Sequence, residues 1–171
     1  MGYSTDFYGA IKLDPPLNEL EIKYLTEFAN TRHMHRRLGP YFVGGNVYSQ
    51  GGVPYRVPSR GEADIIDANS PDPEQPGLWC QWVPDENDPS EIVWDGGEKF
   101  YNATEWLQYI LSHFIGHAAI AKMRDYDKFH FLQGHDANGF IECQGEDQDD
   151  RWCIDVTAGI VTTRPGKIVY D

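Results

Sequence analysis

Residues 128–163, KFHFLQGHDANGFIECQGEDQDDRWCIDVTAGIVTT, decide the fold class that the sequence predicts. Strand-like runs follow one another here with only short polar turns between them, which is typical of an antiparallel meander. Asn138-Gly139 is a strong hairpin signal, and the acidic residues 146–150 indicate a second turn. The predicted strands are 128–133, 140–144, 151–157 and 160–163.

The amino-terminal end adds a strand and a helix. Polar and apolar side chains alternate along residues 3–13, with Tyr8 in the polar row, which predicts a half-buried strand. Two prolines then stop the strand, and Asn18 with Glu21 matches the capping box that begins a helix. An apolar stripe at helical spacing carries this helix to about Arg32.

The middle of the chain changes character over about residues 38–77, which are rich in glycine and proline. We expect a long irregular insertion here, because such segments within a compact domain are usually functional or mobile. Regular structure returns beyond it, with a second helix that Asn102 or Thr104 caps and that Gly116 interrupts. Further strand-like runs are 41–43, 53–57, 78–83 and 91–94.

This order of elements predicts an α+β fold. We expect a single domain, residues 1–171, with a mostly antiparallel sheet of five to seven strands and two main helices packed on one face. A chain of 171 residues is long enough to form a stable hydrophobic core without disulfide bonds or bound metal ions.

The composition of the chain limits the cellular compartments and the classes of partner that we expect. The chain is 40% hydrophobic and carries a net charge of −13, which argues against disorder and against binding of a nucleic-acid polymer. No apolar run approaches the length of a membrane span, and the first residues do not resemble a signal peptide. A cytoplasmic protein that does not bind membranes is therefore expected.

The three cysteines, Cys80, Cys143 and Cys153, match neither a dense disulfide framework nor a metal motif. Free, buried thiols are the favoured interpretation, because free cysteine is among the most buried residue types. A disulfide between Cys143 and Cys153 is the alternative.

One basic cluster stands out in this acidic chain, at residues 32–37 (RHMHRR). Cations at a helix end are often capping groups, but guanidinium groups also bind phosphate and carboxylate bidentately. We expect an anion pocket that the loop Gly39–Gly52 closes and to which a nearby tryptophan adds an aromatic surface. The expected ligand-binding residues are Arg32, His35, Arg36, Arg37, Trp82 and Trp94.

Catalytic motifs are missing from the sequence. His113 and His117 have the i, i+4 spacing of metal ligands, and His130 or His135 could supply a third, but the glutamate of a metalloprotease helix is absent. The sequence therefore favours a binding protein, with no catalytic residues, no metal and no cofactor, over a metal-dependent hydrolase. Acidic hairpins leave another alternative, a DNA mimic or inhibitor that binds a host protein.

Several short motifs carry a resemblance to a known family: residues 1–9, 14–17, 78–84, 97–101, 105–107, 145–147 and 150–152. In these motifs the chain resembles small uncharacterised proteins of actinobacteria and their phages, over both ends and the centre but least over residues 44–70. The resemblance implies a cytoplasmic accessory protein, encoded by a bacterium or a phage, and it assigns no catalytic residues. Sequestering a small anionic, nucleotide-type ligand from host defence is the role expected of such a protein.

Overall fold

The computed structural model describes residues 2–44 and 64–166 of the chain. Its fold is α+β, as the sequence predicts: helices cover one face of a six-stranded antiparallel sheet, and two further strands form a small separate sheet. The order in the large sheet is β4-β5-β1-β6-β7-β8. The strands are β1 (Thr5–Asp14), β2 (Met34–Arg36), β3 (Ile65–Pro71), β4 (Trp82–Asp85), β5 (Asp88–Trp94), β6 (Asp136–Gly145), β7 (Arg151–Thr157) and β8 (Ile160–Pro165).

The first helix confirms its predicted start. The Asn18 side chain accepts a hydrogen bond from the Glu21 N–H at 2.8 Å, and the Glu21 carboxylate accepts one from the Asn18 N–H at 3.0 Å. The helix ends at Ala29, earlier than predicted, because the backbone turns there and the N–H of His33 bonds to Leu78. The helices are α1 (Glu19–Ala29), α2 (Ala103–Ile110), α3 (Ile120–Arg124) and α4 (Tyr126–Phe129).

A π-helix, Leu111–Ile115, continues α2 without a break. The N–H of Gly116 bonds to the carbonyl of Leu111 at 2.8 Å, which is the five-residue step of a π-turn. His113 lies in this wider turn, and its side chain is buried.

Strand β1 lies in the middle of the large sheet, and its alternation is as predicted. Phe7, Ile11 and Leu13 are buried beneath the helices, whereas Tyr8 and Lys12 are exposed on the other face, which we call the outer face. β1 pairs with β6 over its whole length, from Thr5 opposite Gly145 to Asp14 opposite Asp136.

The carboxy-terminal meander forms, but its first hairpin was predicted wrongly. Asn138-Gly139 lies inside β6, where Gly139 pairs with Ile11. A Cβ on Gly139 would lie 2.5 Å from the carbonyl oxygen of Ala10, so the glycine permits a close approach of two strands and does not make a turn. Residues 128–133 form no strand, because Tyr126–Phe129 is helical and the Asp125 side chain caps it.

The glycine-rich middle contains a strand that the sequence analysis missed. β3 pairs with β2, so residues 34–36 of the basic cluster at 32–37 lie on a strand and not at a helix end. Residues 41–43 are not a strand, and the predicted run 53–57 lies outside the described residues. Most side chains in β3 are polar or exposed, which explains why no apolar pattern indicated it.

The buried side chains of the described residues form one aromatic-rich core between the sheet and the helices. Trp106, Phe28 and Phe114 lie at its centre and are at most 1% exposed. None of the helices in residues 2–44 and 64–166 has the length and apolar character of a membrane span.

Candidate functional site

The basic cluster is divided by the alternation of β2. Arg36 points inward and is buried, with Nη1 3.1 Å from an Asp64 carboxylate oxygen and the guanidinium 4.6 Å from the centre of the Phe42 ring. Arg32 donates to the carbonyl of Ala68. Arg37 is exposed. Asp64 therefore neutralises the charge of Arg36 inside the protein. Among the described residues, the three arginines do not line one common surface.

His35 lies opposite Asp67 in the pairing of β2 with β3, so this residue too has an acidic neighbour. Hydrogen bonds from Asn69 and Ser70 to the Asp67 carboxylate hold the pKa of Asp67 below its usual value. Residues 45–52 of the loop that was expected to close the pocket lie outside the described ranges.

The two tryptophans proposed as an aromatic surface are largely core residues. Trp82 is 2% exposed, and its indole N–H donates to the carbonyl of Ala103 at 2.8 Å, so its ring does not lie on the surface where a ligand was expected to stack. Trp94 is half-buried, and its ring lies 5.4 Å from that of Phe7. Trp79, which precedes β4, is the exposed tryptophan of this region.

The two histidines with metal-ligand spacing face different partners. His113 Nδ1 lies 2.5 Å from the Tyr41 hydroxyl, whereas His117 Nε2 lies 2.7 Å from an Asp136 carboxylate oxygen. Across residues 2–44 and 64–166, no cluster of three or more His, Cys, Asp or Glu side chains could hold a metal ion. The remaining candidates are also engaged, His130 with a backbone carbonyl and His135 with Glu21.

His113 belongs to a buried network that sequence reasoning missed. Its ring stacks on Tyr109 at 3.9 Å, and burial lowers its pKa to about 4, so the ring is neutral at physiological pH. Arg124 donates to the Tyr41 hydroxyl at 3.1 Å and pairs with Glu74. Because a guanidinium only donates, the simplest assignment has the Tyr41 hydroxyl donate to His113 Nδ1. The network ties residues 40–44 and 74–75 to the π-helix.

A concave site lies on the opposite side of the large sheet from the basic cluster. His33 of that cluster packs against Phe28 and Trp106 beneath the helices, whereas the concave site opens on the outer face. We call it the outer-face groove; its volume is about 920 Å³. It is lined by Tyr8, Phe140, Glu142, Cys143, Gln144, Arg151, Trp152, Cys153, Arg164, Pro165 and Gly166.

Two aromatic rings stand in the groove on the two central strands. Tyr8 is 57% exposed and Phe140 is 45% exposed. The register places Tyr8 opposite Glu142 and Phe140 opposite Ala10, so the two rings are diagonal neighbours, with Cα atoms ~7–8 Å apart. An aromatic side chain in the polar row of a strand was visible in the alternation around Tyr8, and this signal could have located the site.

The residues that line the groove have a positive net formal charge, whereas the whole chain has a negative one. Its lining holds two arginines and one glutamate. Arg164 pairs with Asp155 at 2.9 Å, but the side chains of Arg151 and Glu142 have no hydrogen-bond or ion-pair partner among the described residues. These two side chains are available to a ligand.

Cys153 is half-buried in the lining of the groove, between Glu142 on one neighbouring strand and Arg164 on the other. Burial raises the pKa values of Cys80 and Cys143 to about 12. All three thiols are free. The alternative disulfide is wrong, because Cys143 pairs with Trp152 while Cys153 pairs with Glu142, which directs the two thiols to opposite faces of the sheet.

No protein-family model matches the chain, and neither the curated proteins nor the solved structures contain a significant match to it.

Proposed function

We propose that this protein is a non-catalytic binding protein that holds a small planar anion, of the nucleotide type, in the outer-face groove. The observation that carries the proposal is the juxtaposition of two exposed rings, Tyr8 and Phe140, with the guanidinium of Arg151, which has no hydrogen-bond or ion-pair partner among the described residues. The ligand class is the one expected from the sequence, but the site differs from the cluster at residues 32–37.

Aromatic stacking is the first interaction that favours a nucleotide-type ligand. An aromatic side chain contributes ~1–3 kcal/mol for each base that stacks on it, whatever the base. A groove of about 920 Å³ has the size of small-molecule sites, which span roughly 300–1,000 Å³. A single base with its sugar and phosphate fits such a volume.

The charges of the chain and of the groove are the second property that favours a small nucleotide. A chain of net charge −13 repels a long polyanion, whereas a compact anion interacts mainly with the groups that touch it. Arg151 can bind a phosphate bidentately, since its guanidinium presents a planar fork of donors. The groove therefore suits a mononucleotide better than a nucleic-acid strand.

The polar chemistry of the groove favours binding over catalysis. Among the described residues that line it, the half-buried Cys153 is the candidate nucleophile, and no histidine accompanies it as a base. Histidine is the base that commonly activates a serine or cysteine nucleophile through a hydrogen bond.

Calorimetry with a panel of mono-, di- and cyclic nucleotides tests the proposal. Wild-type protein should bind at least one of them, and Tyr8→Ala and Arg151→Ala should each weaken binding by on the order of ten-fold. The matched controls are Tyr101→Ala, an exposed aromatic residue outside the groove, and Arg37→Ala from the basic cluster.

The thiol of Cys153 provides a second readout. Bound nucleotide should slow the reaction of Cys153 with a thiol reagent, because the residue lines the groove. No binding by wild type would overturn the proposal. Loss of binding in Arg37→Ala but not in Arg151→Ala would move the site back to the basic cluster.

A further inference from the structure

We infer that Glu142 selects the base, so that the outer-face groove prefers a guanine-type nucleotide, whose pairing edge presents two adjacent N–H donors. This inference rests on the proposed function. It begins from the register of β1 and β6, which sets Glu142 directly opposite Tyr8. Paired residues on one face have Cβ atoms ~4.5–5.5 Å apart, so the carboxylate lies at the edge of a base stacked on Tyr8.

Glu142 differs from two other acidic side chains of the outer face, which form ion pairs. Asp155 is paired with Arg164, and Glu91 is paired with Lys12. The Glu142 carboxylate has no such partner among the described residues. An unpaired carboxylate inside a groove weakens the binding of any anion, unless the carboxylate makes a hydrogen bond with that ligand.

Hydrogen-bond chemistry determines which base gains from this carboxylate. An ionised carboxylate only accepts hydrogen bonds, and its two oxygens can accept two parallel N–H groups. Guanine presents such a pair, the ring N1–H and the exocyclic amino group. Adenine presents an amino group beside a ring nitrogen that is itself an acceptor, and that nitrogen would face a carboxylate oxygen. Glu142 therefore discriminates between the two purines.

The position of the cation agrees with this orientation. Arg151 lies opposite Gln144, two residues along β6 from Glu142. Two residues of a strand span ~6.8 Å, which is within the reach of a phosphate whose base lies over Tyr8. One mononucleotide can thus contact the ring, the carboxylate and the guanidinium together.

The test compares the affinities of GMP, IMP and AMP for wild-type protein and for Glu142→Gln. Wild type should bind GMP on the order of ten-fold more tightly than AMP, with IMP between them because it keeps N1–H but lacks the amino group. Glu142→Gln should bring the ratio of the GMP and AMP affinities close to one. Glu86→Gln, which removes the same charge from the turn between β4 and β5, should leave the ratio unchanged.

The outcomes separate the two proposals. Equal affinities for GMP and AMP in wild type, or a preference that survives in Glu142→Gln, would overturn the role of Glu142 and leave the binding function intact. No binding of GMP, IMP or AMP at all would overturn both.

Discussion

At the scale of single residues, His135 shows how burial determines a protonation state. Its ring is 2% exposed, and Glu21, its partner, is 1% exposed. Nδ1 lies 2.6 Å from the carbonyl oxygen of Pro15, and Nε2 lies 2.7 Å from the Glu21 carboxylate. Both partners only accept hydrogen bonds, so both ring nitrogens must donate and the ring is an imidazolium.

This geometry predicts how stability depends on pH. Burial lowers the pKa of His135, but the hydrogen bonds to Glu21 and Pro15 raise it more, so the net pKa lies above the ordinary value of ~6.5. The stabilisation is complete below about pH 6.5 and is lost as the pH rises through the folded-state pKa. The free energy of unfolding in urea should fall over this range.

His33 and His113 change the stability of the protein in the opposite direction, and they do so over a lower pH range. Burial lowers both of their pKa values to about 4. The unfolded chain therefore binds more protons between about pH 4 and about pH 6.5, and stability should rise with pH there. His135→Gln should remove the decline between about pH 6.5 and about pH 8 but keep the acidic one, at a cost of ~3–5 kcal/mol for breaking a buried pair. The buried thiols of Cys80 and Cys143 add a separate decline only above the ordinary thiol pKa of ~8.5. A decline below pH 8 that persists in His135→Gln would contradict the assignment.

At the scale of elements, local signals predicted where structure begins better than where it ends. The capping box of Asn18 and Glu21 is a local hydrogen-bond pattern, and it formed as predicted. The end of α1 depends on Leu78, which lies far along the chain and accepts a hydrogen bond from His33. No sequence window around Ala29 contains that partner.

Gly139 gives a prediction at this scale. Gly139→Ala should destabilise the protein by ~1–3 kcal/mol, because the new Cβ would lie 2.5 Å from the Ala10 carbonyl oxygen and 2.9 Å from Ile11 Cα, both backbone atoms. Gly77→Ala is the matched control, since the nearest atom to its Cβ is at 3.4 Å. The midpoint of urea unfolding is measured for both variants. Equal midpoints would show that β1 and β6 accommodate the added methyl group at Gly139 without loss of stability.

At the scale of the whole molecule, charge should separate mononucleotides from polymers. A net charge of −13 repels a strand that extends beyond the groove. We therefore expect a short single-stranded oligonucleotide to bind more weakly than the mononucleotide of the same base. The difference should shrink as salt screens the repulsion, whereas a nucleic-acid-binding protein loses affinity for the oligonucleotide with salt.

Competition between the two ligands at several salt concentrations, followed by fluorescence anisotropy, measures this difference. The Arg151→Ala variant serves as the control, because both ligands need the same guanidinium. Tight oligonucleotide binding that weakens steeply with salt would contradict the prediction and indicate a basic surface outside the groove.

Features that depend on near neighbours in the chain follow from local sequence patterns. Alternation along β1 predicted its buried and exposed rows, the capping box predicted the start of α1, and the order of the predicted elements indicated an α+β fold. Each of these signals acts between residues a few positions apart, where spacing alone fixes geometry.

Tertiary packing, in contrast, brings residues that are distant in the chain into contact. It buried Arg36 against Asp64 and Trp82 against Ala103, removing both from the surface on which they were expected. It also placed Tyr8 beside Glu142, although 134 positions, from 8 to 142, separate them in the chain. Cross-strand register sets such neighbours, and register follows from the packing of the whole buried face, which no local spacing encodes.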